Sequence, residues 1–139
     1  MIQVVLDTNI VVSALLRSGS LPEAAFNLAM DRVVQLSVSE SILTEYEDVL
    51  RRSKLRIHPD KVTLTLKRIR EVSLLIRPAV SVTVCSDPDD NIFLECSEAA
   101  QANYLVTGNV RHFPDVWATT QIVTPREFFQ VIVESQHGS

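Results

Sequence analysis

Asp7 ends the apolar, β-branched run Ile2–Leu6, the pattern of a strand buried on both faces. A carboxylate at the end of such a strand is costly unless it is hydrogen-bonded, paired or bound to a cation. Arg77 is the only lysine or arginine directly after another expected strand, whereas Glu45, Asp87, Asp89 and Asp90 are further acids that a fold can bring nearby. Carboxylates converging without basic partners suit Mg²⁺ or Mn²⁺, hard cations that take oxygen ligands and keep several waters. Such a site activates water and stabilises charge developing on a phosphoryl group. Each acid alone also has a plainer role: Asp7 as a cap, Glu45 as an exposed helix residue, Asp87 to Asp90 as favourable charge at a helix start. Their combination points to an acidic divalent-metal site in an α/β domain, a description that also fits phosphatases and phospho-receiver domains.

The elements that must position these acids alternate in type. After Asp7, the helix-capping types Thr8 and Asn9 precede Ile10, Val11, Ala14 and Leu15, which can line one face of a short helix. Ala24, Ala25, Leu28 and Ala29 recur at helical spacing within Leu21–Met30, and Pro22 suits its first turn. Arg32–Leu36 reads as a short strand. Ser39 caps an amphipathic helix running to about Arg52 through Ile42, Leu43, Tyr46, Val49 and Leu50, with Glu45 off the main apolar stripe. Past His58 and Pro59, a second helix spans Lys61–Val72 and turns Val62, Leu66 and Ile69 inward, so the two form a helical hairpin. Leu74–Ile76 and Val80–Val84 have strand composition, and Pro78 prevents one uninterrupted strand. The loop DPDDN (Asp87–Asn91) opens a buried helix through Ile92, Phe93, Cys96, Ala99 and Ala100. Tyr104–Val106 is a strand ended by Thr107, Gly108 and Asn109, and Gln121–Val123 and Pro125–Val133 form a last strand and closing helix. This alternation predicts a mostly parallel sheet with helices on both faces, joined by right-handed crossovers. The ligand site of such a fold lies beyond the carboxyl ends of the strands, where Asp7, the DPDDN loop and the Thr107–Asn109 turn all fall.

Bulk properties narrow the class. A chain of 139 residues suits a single domain, expected here over 1–139 with its last few residues disordered. With 46% hydrophobic and 22% charged residues, three glycines and six prolines, it is neither fibrous nor intrinsically disordered. The start MIQVVLDTN has no basic segment before its apolar run, which an acid soon interrupts, so no signal peptide or membrane span is expected and the protein should be cytoplasmic. Cys85 and Cys96 show no CxxC spacing or neighbouring histidine pairs, and read as reduced residues in or near the core rather than a zinc site. Thirteen basic against seventeen acidic residues, a formal charge of -4, argue against nonspecific nucleic-acid binding driven by global charge. A local basic bias remains in Arg51, Arg52, Lys54, Arg56, Lys61, Lys67, Arg68 and Arg70, either as a solvated helix face or as a phosphate-contacting surface.

LDTNIVVSALL, the helical Glu45, DPDDNIFLECSEAAQANYLVTGN and the following RHF resemble PIN domains, most of all the PIN-family toxins of bacterial toxin–antitoxin systems. The resemblance extends from Ile2 to about Phe128, in order and spacing. It implies a three-layer α/β/α fold with a four- to five-stranded, mostly parallel sheet, and a metal-dependent ribonuclease using Mg²⁺ or Mn²⁺. Carried over position by position, Asp7 becomes the first metal ligand, Glu45 the acid of the helical hairpin and Asp90 the third, with Asp87 as an additional charge. Asn9 would orient the site, and Thr107 and Asn109 would shape the turn facing substrate. The family often has another aspartate just after the glycine of the VTG turn or three residues further on, and here those places hold Asn109 and His112. Arg51, Arg52, Lys54, Arg111 and His112 are the candidate RNA contacts, since the acids cannot read bases. The resemblance further implies a cognate antitoxin covering the cleft, and a homodimer whose interface the apolar residues of the early helices could supply.

Two rival readings are set against this. A PIN domain that binds RNA or a protein without cutting fits Asn109 and His112. An aspartyl phosphatase would want a second acid two residues after the first, where Asn9 stands, and a receiver would want a lysine after a late strand, which the VTGN turn lacks.

Overall fold

The computed structural model describes residues 1–137. Its strands are β1 (Gln3–Leu6), β2 (Gln35–Val38), β3 (Leu74–Leu75), β4 (Tyr104–Val106), β5 (Val116–Trp117) and β6 (Thr120–Val123). The helices are α1 (Thr8–Leu16), α2 (Leu21–Met30), α3 (Glu40–Leu50), α4 (Pro59–Val72), α5 (Asn91–Ala100) and α6 (Pro125–His137), and 3-10 turns cover Ser53–Leu55, Pro88–Asp90 and Val110–His112. One six-stranded sheet, ordered β3-β2-β1-β4-β6-β5, is parallel except for the β5–β6 pair.

The β1→β2→β3 connections step one way across the sheet, and the return through α5 to β4 steps the other. Right-handed crossovers therefore put α1 to α4 on one face and α5 on the other, giving the three-layer α/β/α arrangement. Helix α5 packs across β1, β2 and β4, while α6 packs on β4, β6 and α2. The direction of winding reverses between β1 and β4. In an open α/β sheet that switch point, at the carboxyl ends of the strands, is where a crevice forms.

Local chemistry explains most boundaries. Val4, Val5 and Leu6 are fully buried, as a central strand requires. Ser20 and Ser39 accept from the backbone N–H groups of Glu23 and Ile42, capping α2 and α3. Thr124 and Glu127 form a reciprocal capping box at the start of α6. Between the layers, Phe93, Leu94, Leu105, Ile42, Leu50 and Phe128 are sealed from solvent, each contributing about 2 kcal/mol by burial. Cys85 and Cys96 are both free thiols, the second fully buried. Among the described residues no helix is long and apolar enough to cross a membrane.

The expected boundaries need several corrections. The cap of α1 is Asp7 itself, and Thr8 and Asn9 lie inside the first turn. Arg32–Leu36 is not the strand: Arg32 takes φ +59°, and Val33 and Val34 donate back to the Leu28 carbonyl, so helix closure consumes those residues and β2 begins at Gln35. Val80–Val84 forms no strand. Its central N–H, that of Val82, donates to Glu95 Oε2 at 2.9 Å and ties the segment to α5 instead of to the sheet. The sheet gains two edge pieces of two residues each, β3 and β5, of which β5 was not anticipated. Helix α6 runs past Val133 to His137, and the remainder of the expected terminal disorder falls outside the described residues.

Candidate active site

Asp7 stands where β1 becomes α1, and its backbone N–H donates to the Val106 carbonyl of β4 at 2.9 Å. The residue is only 6% exposed. Its Oδ1 accepts from Thr8 N at 2.7 Å, and its Oδ2 accepts from Asn9 Nδ2 at 3.1 Å and from the Thr107 hydroxyl at 2.7 Å. Asn9 Oδ1 in turn accepts from Gly108 N at 3.0 Å, and Thr107 Oγ1 accepts from Asn109 N at 2.9 Å. The turns after β1 and β4 are therefore laced together through the side chains expected to support the site. Despite these donors, burial raises the Asp7 carboxyl above its ordinary range, and the hydrogen bonds and His112 oppose the rise only in part.

Asp7, Glu45, Asp87 and Asp90 all line one cavity of about 420 Å³. Glu45 reaches it from α3, and Asp90 from the 3-10 turn before α5. Burial and then the negative charges of Asp7 and Asp87 push the Asp90 carboxyl up to about 6. Burial, followed by Asp89, also raises Glu45. Asp87 is exposed, with Oδ1 accepting from Asp89 N at 3.0 Å, the capping role open to it from the start. Among the described residues no lysine or arginine forms an ion pair with any of these four acids, and the nearest cationic candidate is His112, whose Nδ1 lies 3.7 Å from Asp90 Oδ2.

Oxygen donors of one charge, partly desolvated and raising one another's pKa, fit a hard divalent cation. Yet among the described residues no three His, Cys, Asp or Glu side chains form a group that could hold a metal ion as they stand. The four acids therefore supply oxygen donors of suitable chemistry on one cavity, without a closed ligand set among the described residues.

Of the expected RNA contacts, Arg52 and His112 line the acidic cavity, joined by Lys54. Arg51 does not join them. Its Nε pairs with Glu47 at 2.8 Å and its guanidinium donates to Thr63 at 3.1 Å, on the side facing α4. Arg111 lines an adjoining depression of about 230 Å³ with Gly108, Asn109 and His112. Tyr46 escaped notice as more than a core residue: it is fully buried and donates its hydroxyl to the Leu6 carbonyl, beside Asp7. The signal was a phenol on an otherwise aliphatic stripe, since a buried Tyr hydroxyl needs a partner.

A family model described as PIN domain matches residues 3–111. The chain is also 31% identical over 111 residues to an uncharacterized protein of Methanocaldococcus jannaschii, a match covering 78% of this chain and 71% of that protein.

Proposed function

The chain belongs to the PIN domain family, whose members are typically nucleases that use divalent metals, and on that premise we propose that it is a Mg²⁺- or Mn²⁺-dependent endoribonuclease, the toxin of a toxin–antitoxin pair. The observation carrying this reading is the convergence of Asp7, Glu45 and Asp90 from three separate elements on one cavity at the switch point, with no lysine or arginine ion-paired to them among the described residues. In this reading all three are metal ligands and Asp87 adds charge at the rim. What a bound divalent cation supplies there is activation of water and neutralisation of charge developing on the phosphoryl group.

The chain's own residues do the rest. Thr107, Asn9 and Thr8 N hold the Asp7 carboxylate in one orientation, so its lone pairs are aimed before any ligand arrives. Arg52 and Lys54, on the edge of the cavity, attract the RNA backbone against the repulsion of the acids, which a globally negative chain cannot do by net charge. His112 and Arg111 offer further phosphate contacts on the far side, beside the Asn109 turn. Hydrolysis by water needs no covalent enzyme intermediate. A single domain acting in the cytoplasm, a cognate antitoxin covering the cleft and a homodimer complete the proposal, and for these the likeness to PIN-family toxins is the support.

Asn109 and His112 at positions where the family often has an acid, together with the open spacing of the carboxylates, favour one alternative: a PIN domain that binds RNA or a protein without cutting. Incubation of a mixed single-stranded RNA with the protein in Mn²⁺, Mg²⁺ or EDTA, beside Asp90→Asn, separates the two. Metal-dependent cleavage lost in the variant is expected. RNA binding without cleavage in any metal would leave the noncatalytic reading standing.

A further inference from the structure

We propose that Tyr46 is a positioning residue for the acidic site, fastening the helix that carries Glu45 to the strand end that carries Asp7. The inference rests on the divalent-metal reading above.

The phenol is sealed from solvent and donates its hydroxyl to the main-chain carbonyl of Leu6. In a planar trans peptide the Leu6 carbonyl points opposite to the Asp7 N–H. That N–H is committed to Val106 in β4 at 2.9 Å, so the carbonyl faces the β2 side. There the β1–β2 register ends at Val4↔Leu36, before Leu6 is reached, and the strand ladder provides no donor. A buried carbonyl without a partner is costly, and Tyr46 supplies that partner. The peptide plane leading into Asp7 is thereby gripped from both sides, by β4 through Val106 and by α3 through Tyr46.

Packing alone does not call for a hydroxyl. Ile42, Leu43 and Leu50 fill the same face of α3 with hydrocarbon. What the phenol adds is a directional bond one residue from Glu45, which sets the rotation and height of α3 relative to the end of β1. A shift of α3 would move Glu45 relative to Asp7 without unfolding either element. Groups hydrogen-bonded directly to metal ligands typically govern affinity by about 10- to 100-fold, and Tyr46, acting through the backbone, falls at the lower end of that range.

Mn²⁺ affinity of the full chain, read by the electron paramagnetic resonance of free Mn²⁺, tests this without relying on cleavage. Wild type, Tyr46→Phe, Glu45→Gln, Asp90→Asn and the double variant Tyr46→Phe/Glu45→Gln are compared at a temperature where circular dichroism shows all folded. The expected result is that Tyr46→Phe weakens Mn²⁺ binding about tenfold, and that in the Glu45→Gln background its additional effect shrinks to less than about twofold. A Tyr46→Phe affinity equal to wild type, even with a lowered melting temperature, reduces Tyr46 to a structural role and overturns the inference. Fully additive losses in the double variant overturn the route through Glu45. If wild type binds no Mn²⁺, or Glu45→Gln and Asp90→Asn bind it as wild type does, the metal reading itself fails and the inference goes with it. Should Tyr46→Phe not fold, the wild-type chain with 3-fluorotyrosine at its two tyrosines decides. The Tyr46 fluorine resonance should move during a Mg²⁺ titration, and a resonance that stays still through saturation overturns the proposal.

Discussion

The hydroxyl of Thr107 donates a 2.7 Å hydrogen bond to Oδ2 of Asp7, tying the ends of two adjacent parallel strands across 100 residues of sequence. The same carboxylate oxygen accepts from Asn9, and the same hydroxyl accepts from Asn109 N. This network lets a carboxylate persist where burial opposes its charge, because each donor recovers part of the solvation that water would have given.

We predict that Thr107→Val, which keeps the shape and removes the hydroxyl, loses about 1–2 kcal/mol of stability. Urea unfolding in EDTA measures this directly. A loss below about 0.3 kcal/mol would show that Asp7 does not depend on this donor.

Asp90 carries a pH signature. Its folded carboxyl is raised from the ordinary 3.8 to about 6, so the folded state holds this proton more tightly than the unfolded chain. Its contribution to stability is therefore fully present below pH 3.8 and is lost as pH rises through about 6. In EDTA, the melting temperature of wild type minus that of Asp90→Asn should fall across this window, and saturating Mg²⁺ should reduce the fall. A difference that is flat, or that rises with pH, contradicts the assigned environment. No side-chain hydrogen bond holds Asp90 among the described residues, so Asp90→Asn should fold normally while losing any nuclease activity.

Arg51 and Arg52 are neighbours with different expected roles. Arg52 lines the acidic cavity, whereas Arg51 is occupied by Glu47 and Thr63. Titration of single-stranded RNA at several salt concentrations should show the slope of log affinity against log salt falling by about 0.7 for Arg52→Ala and again for Lys54→Ala. Arg51→Ala should leave the slope unchanged, its exposed pair being worth less than about 1 kcal/mol. Equal effects at both arginines would mean that RNA runs over the α3–α4 face instead.

The glycine of the VTGN turn invites substitution. A methyl group at Gly108 would meet Asn9 Oδ1 at 3.5 Å, ordinary van der Waals contact. We therefore expect Gly108→Ala to change stability by less than about 0.5 kcal/mol, with Asn9 still accepting from residue 108. A larger loss in thermal unfolding would reveal a backbone demand that the Asn9 contact does not explain.

Much of the fold was legible where short-range physics decides it. The buried run before Asp7, the helical spacing over Leu21–Met30, the Ser39 cap and the acids opening α5 each depend on residues within a turn or two of one another. Those features also revealed which acids lie at strand ends and helix starts, and hence that a cation site was a candidate. What stayed hidden depends on partners far away in sequence. Two residues make a strand only when a neighbour completes the ladder, so β5 exists because β6 returns beside it. Val80–Val84 has strand composition but binds α5, because Glu95 captures the Val82 N–H.

The amino-acid sequence by itself determined the order of the helices and of the central strands, the family resemblance and the set of acids, because periodicity, capping and composition act locally. Only the tertiary structure decided that Arg52 lines the cavity while Arg51 turns to α4, that Thr107 and Asn9 share one oxygen of Asp7, and that Tyr46 rather than β2 satisfies the Leu6 carbonyl. Where Arg51 and Arg52 point depends on how the chain leaves α3, Arg51 being its C-cap and Arg52 extended at φ -64° and ψ 128°, and a hydrogen bond across 40 or 100 residues depends on how whole elements pack. Neither orientation nor packing is written in the spacing of residue types.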